Sequence, residues 1–132
     1  MSDSLFVDSA MRTAVTALDG LSLRQQAISR NLANVDTPGY KAQTVDFKNT
    51  LKRMVDSGGS LPLNITHVGH QASAASAPGF SVSNRPGGSS RADQNNVDVD
   101  VEMSDMSEAG IEYQAISQAV SKKLLLLKTL AR

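Results

Sequence analysis

Both ends of the chain repeat apolar residues at alternating spacings of four and three, and that pattern limits what the chain can fold into. At the front the series runs Val7, Met11, Ala14, Leu18, Leu21, Ile28, Leu32 and Val35, with Gln25 at the one polar step. At the back it runs Met103, Met106, Gly110, Tyr113, Val120, Leu124, Leu127 and Ala131, interrupted by Ser117. Seams of this kind line one side of a helix and expect a second helix as cover. Ala109, Ile116 and Leu130 widen the rear stripe, and the Leu124-Leu125-Leu126-Leu127 run is apolar around its whole circumference, expecting contact on more than one side. Charge along the rear segment is sorted. Asp98, Asp100, Glu102, Asp105, Glu108 and Glu112 open it, while Lys122, Lys123, Lys128 and Arg132 close it. Both ends therefore favour the helix macrodipole. Gly20 costs about 1 kcal/mol relative to Ala within the front helix and marks an expected kink there.

The middle differs in kind. The pattern divides the chain into a helical segment 1–36, a turn with short elements over 37–97, and a second helical segment 98–132. Residues from Val45 to Val55 suit a short strand or helix. Beyond them, Leu61–Thr66 and Phe80-Ser81-Val82 are the strand-like fragments, with Pro62 confining the first to an edge. Ser57-Gly58-Gly59-Ser60 and Pro86–Ser90 read as linkers. Little apolar area offsets chain entropy there, so much of this centre is expected to be mobile. The expected fold is mainly α. Long N- and C-terminal helices pair in a coiled-coil-like unit around a small irregular or β central segment that is partly disordered.

Composition narrows the function. At 132 residues the chain fits one domain, and aromatics at 4% argue for helices packed through Ala, Leu and Val rather than for a dense aromatic core. Lys+Arg and Asp+Glu are both 13, so no net field points to nucleic acid or an anionic membrane. The absence of cysteine rules out disulfides and thiolate chemistry. The first residues lack the charged and apolar regions of a cleavable signal, and no apolar run reaches the roughly 20 residues of a membrane span.

Catalytic chemistry has no team of residues. His67 and His70 lack the further ligands that tetrahedral zinc takes. The run Asp93–Glu102 begins like a calcium loop but lacks the turn glycine, and Val97 stands where an oxygen ligand belongs. Asp98, Asp100 and Glu102 read better as the acidic opening of a helix. A calcium- or metal-dependent regulator or enzyme built on Asp98–Glu102 stays as the alternative from another class. No catalytic residue, cofactor or metal is expected. Exposed seams would leave more apolar surface than a monomer tolerates, so they predict assembly through Leu18, Leu21, Ile28, Leu32, Val120, Leu124 and Leu127.

Between the seams lies a forced reversal. Asn34 and Asp36 tolerate turn conformations, Thr37 precedes proline, and Pro38-Gly39 fits the centre of a type II turn with Gly39 at positive φ. The ordered residues Asn31, Leu32, Ala33, Asn34, Thr37, Pro38, Gly39, Tyr40 and Lys41 resemble the N-terminal signature of the bacterial flagellar axial proteins, which include rod, hook and hook-cap-like members. The likeness spans roughly 21–51. A second run, Asn95–Met103, resembles the segment before the final helix of proximal rod proteins. The shortness of the chain and Thr66 beside His67 fit the same group. The sister proximal rod protein FlgC is the competitor, but its members often carry an insertion that is absent between Asp36 and Tyr40.

The resemblance implies a structural, non-enzymatic component of the flagellar basal body whose terminal helices pair into the inner tube of the rod. It implies torque transmission and enclosure of an export channel. Implied partners are other copies, FlgC-like, FlgF-like and FlgG-like rod proteins, a FliE-like adaptor, the MS ring and the flagellar type III export apparatus. Implied location is the periplasmic rod, reached without a cleaved signal. Phe47 and Leu51 match the short Phe-x-x-x-apolar motif that the export gate reads, although the same spacing suits two core contacts on one helix.

Overall fold

The computed structural model describes residues 9–56, 79–87 and 90–130. The expectations for Leu61–Thr66, for the linker 57–60 and for His67 and His70 lie outside the described residues. Helix α1 spans Ser9–Ala33, strand β1 Gln43–Val45, helix α2 Phe47–Asp56, strand β2 Val82–Asn84 and helix α3 Val99–Leu130. The architecture is mainly helical, with long terminal helices packed together and a small central strand pair.

Helices α1 and α3 run antiparallel: the C-terminal Asn31 of α1 meets Glu102 at the start of α3, and Ala17 lies with Ala109 further along. Strands β1 and β2 pair antiparallel, with Gln43 opposite Asn84, Thr44 opposite Ser83 and Val45 opposite Val82. The stretch Val45–Val55 therefore resolves as the end of a strand followed by a helix, and the second strand lies two residues beyond the expected Phe80–Val82 fragment. The core is small. Ala17, Leu21, Phe47 and Ala109 are buried together, with Leu51, Phe80 and Ile116 packed against them.

Gly20 does not divide the helix into two pieces, because α1 runs unbroken through it. Gly20 is instead a docking point: a Cβ there would overlap the Phe80 ring, which stacks on Phe47 at a centroid distance of 5.6 Å. A missing side chain lets the ring of a distant segment rest on the helix backbone.

The helix pairing also departs from the expected register. On α1 the buried positions include Ala17, Gly20, Ala27 and Asn31, with Arg24 between them at 15% side-chain exposure. On α3 they are Glu102 and Ala109, flanked by half-buried Asp105, Glu112 and Ile116. Each seam keeps the heptad spacing but sits one residue earlier than the apolar stripe. Small residues at 17, 20, 27 and 109 let the helices and the two phenylalanine rings approach. The charged positions meet complementary partners. Leu21 and Ile28 are shared with the apolar stripe and are buried, whereas Met103 and Tyr113 remain 53% and 40% exposed.

Candidate functional site

The two signature runs, far apart in sequence, meet in space. The first junction is Asn31, in the last turn of α1 and fully buried. Its Oδ1 accepts from the Gln43 backbone N–H at 2.8 Å and from the Tyr40 hydroxyl at 3.2 Å. Its Nδ2 donates to the Gln43 carbonyl at 2.8 Å and to Glu102 Oε2 at 3.1 Å. The amide thus acts as a neighbouring strand would, closing the edge of β1 while also holding α3. All four of its hydrogen-bonding positions are used. Burial raises the Tyr40 phenol above its ordinary value, with Glu102 adding to the rise and Arg30 opposing it.

The second junction is Asn95, just before α3 and also fully buried. Its Nδ2 lies 2.9, 3.0 and 2.9 Å from the carbonyls of Asn34, Val35 and Thr37, in the turn that follows α1. Its Oδ1 accepts from the Val97 N–H at 2.8 Å. Gly39 sits at φ 73°, and the Tyr40 N–H returns to the Thr37 carbonyl at 3.3 Å, as the expected turn requires. The same turn is tied to the rear run by Gly39 N–H on the Asp93 carbonyl, Lys41 Nζ on the Gln94 carbonyl and Ala42 N–H on Asn96 Oδ1. Thr37 and Pro38 themselves are exposed.

A ladder of charge continues from the first junction. Asp98 caps α3, its Oδ1 accepting from the N–H groups of Asp100 and Val101. Glu102, at 0% exposure, pairs with Arg85 at 2.9 Å, and Arg85 also reaches Asp105 at 3.3 Å. Arg24 fans out to Asp105, Glu108 and Glu112 at 3.3, 3.0 and 3.5 Å. Lys48 on α2 completes it, 2.7 Å from Glu108. That hydrogen bond is the main reason the Glu108 carboxyl is held below its ordinary range and the Lys48 ammonium above its own. Asp98 and Glu102 are thus engaged in capping and pairing. Among the described residues no group of His, Asp and Glu is arranged to hold a metal ion.

The Phe47-x-x-x-Leu51 pair lies on one face of α2: Phe47 is buried under Phe80, and Leu51 packs half-buried against the core. Beside it, between β1, α1 and the charge ladder, is a cleft of about 380 Å³. The far side of α2 borders an open apolar groove of about 580 Å³, formed with Ala10, Ala14, Ile116 and Ala119. Of the expected assembly positions, Leu18, Leu32, Val120 and Leu127 are half-buried and Leu124 is half exposed. Sequence reasoning missed Asn95, Arg24, Arg85 and the Gly20–Phe80 contact. Acidic residues recurring at 102, 105 and 112 were a signal, since that spacing places them on one helix face opposite an arginine in the other seam.

Fold and junctions together describe a structural subunit: a helical hairpin whose turn is clamped by polar side chains and whose longest helix turns apolar residues outward. Residues 11–41, covering most of α1 and the turn, match the family model described as flagella basal body rod protein. The Salmonella typhimurium flagellar basal body rod protein FlgB is 34% identical over 113 residues, covering 82% of each chain. The FlgB of Bacillus subtilis is 33% identical over 86% of this chain and 85% of its own. That of Escherichia coli is 31% identical over 89% of both. The chain belongs to the FlgB family of flagellar basal body rod proteins and is a structural component of the rod. These relatives favour the FlgB reading over the sister protein FlgC and over a metal-dependent regulator. Among the described residues no helix is long and apolar enough to cross a membrane.

Proposed function

We propose that the chain works without catalysis as a subunit of the proximal, periplasmic rod, transmitting torque and enclosing an export channel by helix packing. The observation that carries this reading is the outward stripe of α3. Met103, Tyr113 and Leu124 are exposed, and where α1 and α3 meet, over residues 102–116, the hairpin closes through the neighbouring register. The polar seam and the two asparagine junctions hold the subunit's shape; the apolar stripe is left for neighbours. Leu18, Leu32, Val120, Leu124 and Leu127 then contact other copies and FlgC-like, FlgF-like or FlgG-like rod proteins, with a FliE-like adaptor and the MS ring at the base. Burial of each leucine is worth about 1.5–3 kcal/mol. Asp at both 124 and 127 should abolish swimming and rod formation while the isolated subunit keeps its helical circular dichroism. Normal swimming would refute the reading.

The route to the rod is export through the flagellar type III apparatus, with Phe47 and Leu51 read at the export gate. In the folded subunit Phe47 is covered by Phe80, so recognition belongs to the unfolded chain. The Phe47→Ala, Leu51→Ala double variant should lower secreted protein in a strain blocked later in rod assembly, at an unchanged cytoplasmic level. Undiminished secretion would leave both side chains as core contacts alone.

A further inference from the structure

Helix α3 carries further apolar surface at its C-terminal end, which meets the widened stripe at Leu130. Lys122, Leu126 and Leu130 follow one another at intervals of four and so share one side of the helix. Leu126 and Leu130 are 63% and 82% exposed. At the opposite end of the same helix, Val99 and Met103 are exposed at an interval of four, with the Asp100 carboxylate beside them. Neither Lys122 nor Asp100 has a side-chain partner among the described residues. The two ends are thus exposed apolar patches, each built on two large apolar side chains, that differ in the sign of the charge next to them.

We propose that the Lys122–Leu126–Leu130 face of one copy docks on the Val99–Asp100–Met103 face of a second copy. The occupant is a second copy because each patch finds on this same chain a partner of matching apolar character and opposite charge. Opposed charges also forbid the symmetric alternatives. Tail on tail would bring the Lys122 side chains together, and head on head the Asp100 carboxylates, each a like-charge juxtaposition. Joining different patches is a heterologous contact, and unless its rotation closes a ring it propagates along an axis. This rests on the assembly reading above and adds its polarity, end to end through α3, to the lateral packing of the stripe.

The test is sedimentation of the full chain across concentration. Lys122→Glu and Asp100→Lys should each weaken association about tenfold. The two changes in one chain should restore it, because the charges are exchanged rather than lost. The chain lacks cysteine, so single Val99→Cys and Leu126→Cys variants can be mixed under oxidation. The 99–126 disulfide should dominate over both symmetric products. Association indifferent to both charge reversals, or a dominant 126–126 product, would overturn the docking while leaving the assembly reading standing. A wild-type chain monomeric at every concentration would overturn both.

Discussion

Phe80 rests on Gly20: the ring edge occupies the space where any side chain at position 20 would begin, with Cδ2 only 2.8 Å from the site of a Cβ. Gly20→Ala gains about 1 kcal/mol of helix propensity but must displace a ring stacked on Phe47. The variant should be net destabilised in urea unfolding. Combining it with Phe80→Ala should return part of the loss, since the clash partner is then gone. Additive effects of the two changes would show that the contact does not couple them.

Asn31→Ala leaves the Gln43 N–H and carbonyl and the Glu102 carboxylate without the amide that joins them. Each unmet buried group costs about 1–3 kcal/mol, so the midpoint of chemical unfolding should fall sharply. Asn31→Asp should be worse near neutral pH, because a carboxylate replaces the donor facing Glu102. Acidification should narrow the gap between the Asp and Ala variants, as measured by unfolding at several pH values.

Asn95→Asp replaces a donor shared by three carbonyls with an acceptor. Loss of the cap and repulsion from those carbonyls together should cost about 2–3 kcal/mol. Hydrogen exchange should show faster exchange at the end of α1 and through the turn at 37–40. Unchanged protection there would mean that the turn holds without its clamp.

The Lys48–Glu108 pair sets a pH dependence with two edges. Glu108 titrates below its ordinary value of 4.5, so its contribution is complete above that value and fades as pH falls through the lowered one. Lys48 titrates above its ordinary value of 10.5, so its contribution is complete below that value and fades as pH rises through the raised one. Melting temperatures of wild type and Lys48→Ala should therefore differ most between these edges and converge outside them. Added salt should shrink the difference, because the lysine is exposed.

The elements of this protein were written locally. Apolar spacing placed two long helices, the acidic opening beginning at Asp98 placed the start of α3, and Thr37-Pro38-Gly39 placed the reversal, because each depends on residues within a turn or two of one another. The likeness of the Asn31–Lys41 and Asn95–Met103 runs to rod proteins was legible in the same way, residue by residue. What tertiary structure alone decided was which side of each helix faces the other. A shift of one residue turns a helix by about 100°, and a stripe of large apolar side chains beside a stripe of small and charged ones does not declare which will be used inside the subunit. The choice fell to partners remote in sequence: Glu102 for Asn31, Asp105 and Glu112 for Arg24, and Phe80 for Gly20. Those pairings are formed by chain closure, so no window of neighbouring residues contains them. They set the register one residue away from the apolar stripe, so that Leu21 and Ile28 stay buried while Met103, Tyr113 and Leu124 are left facing out.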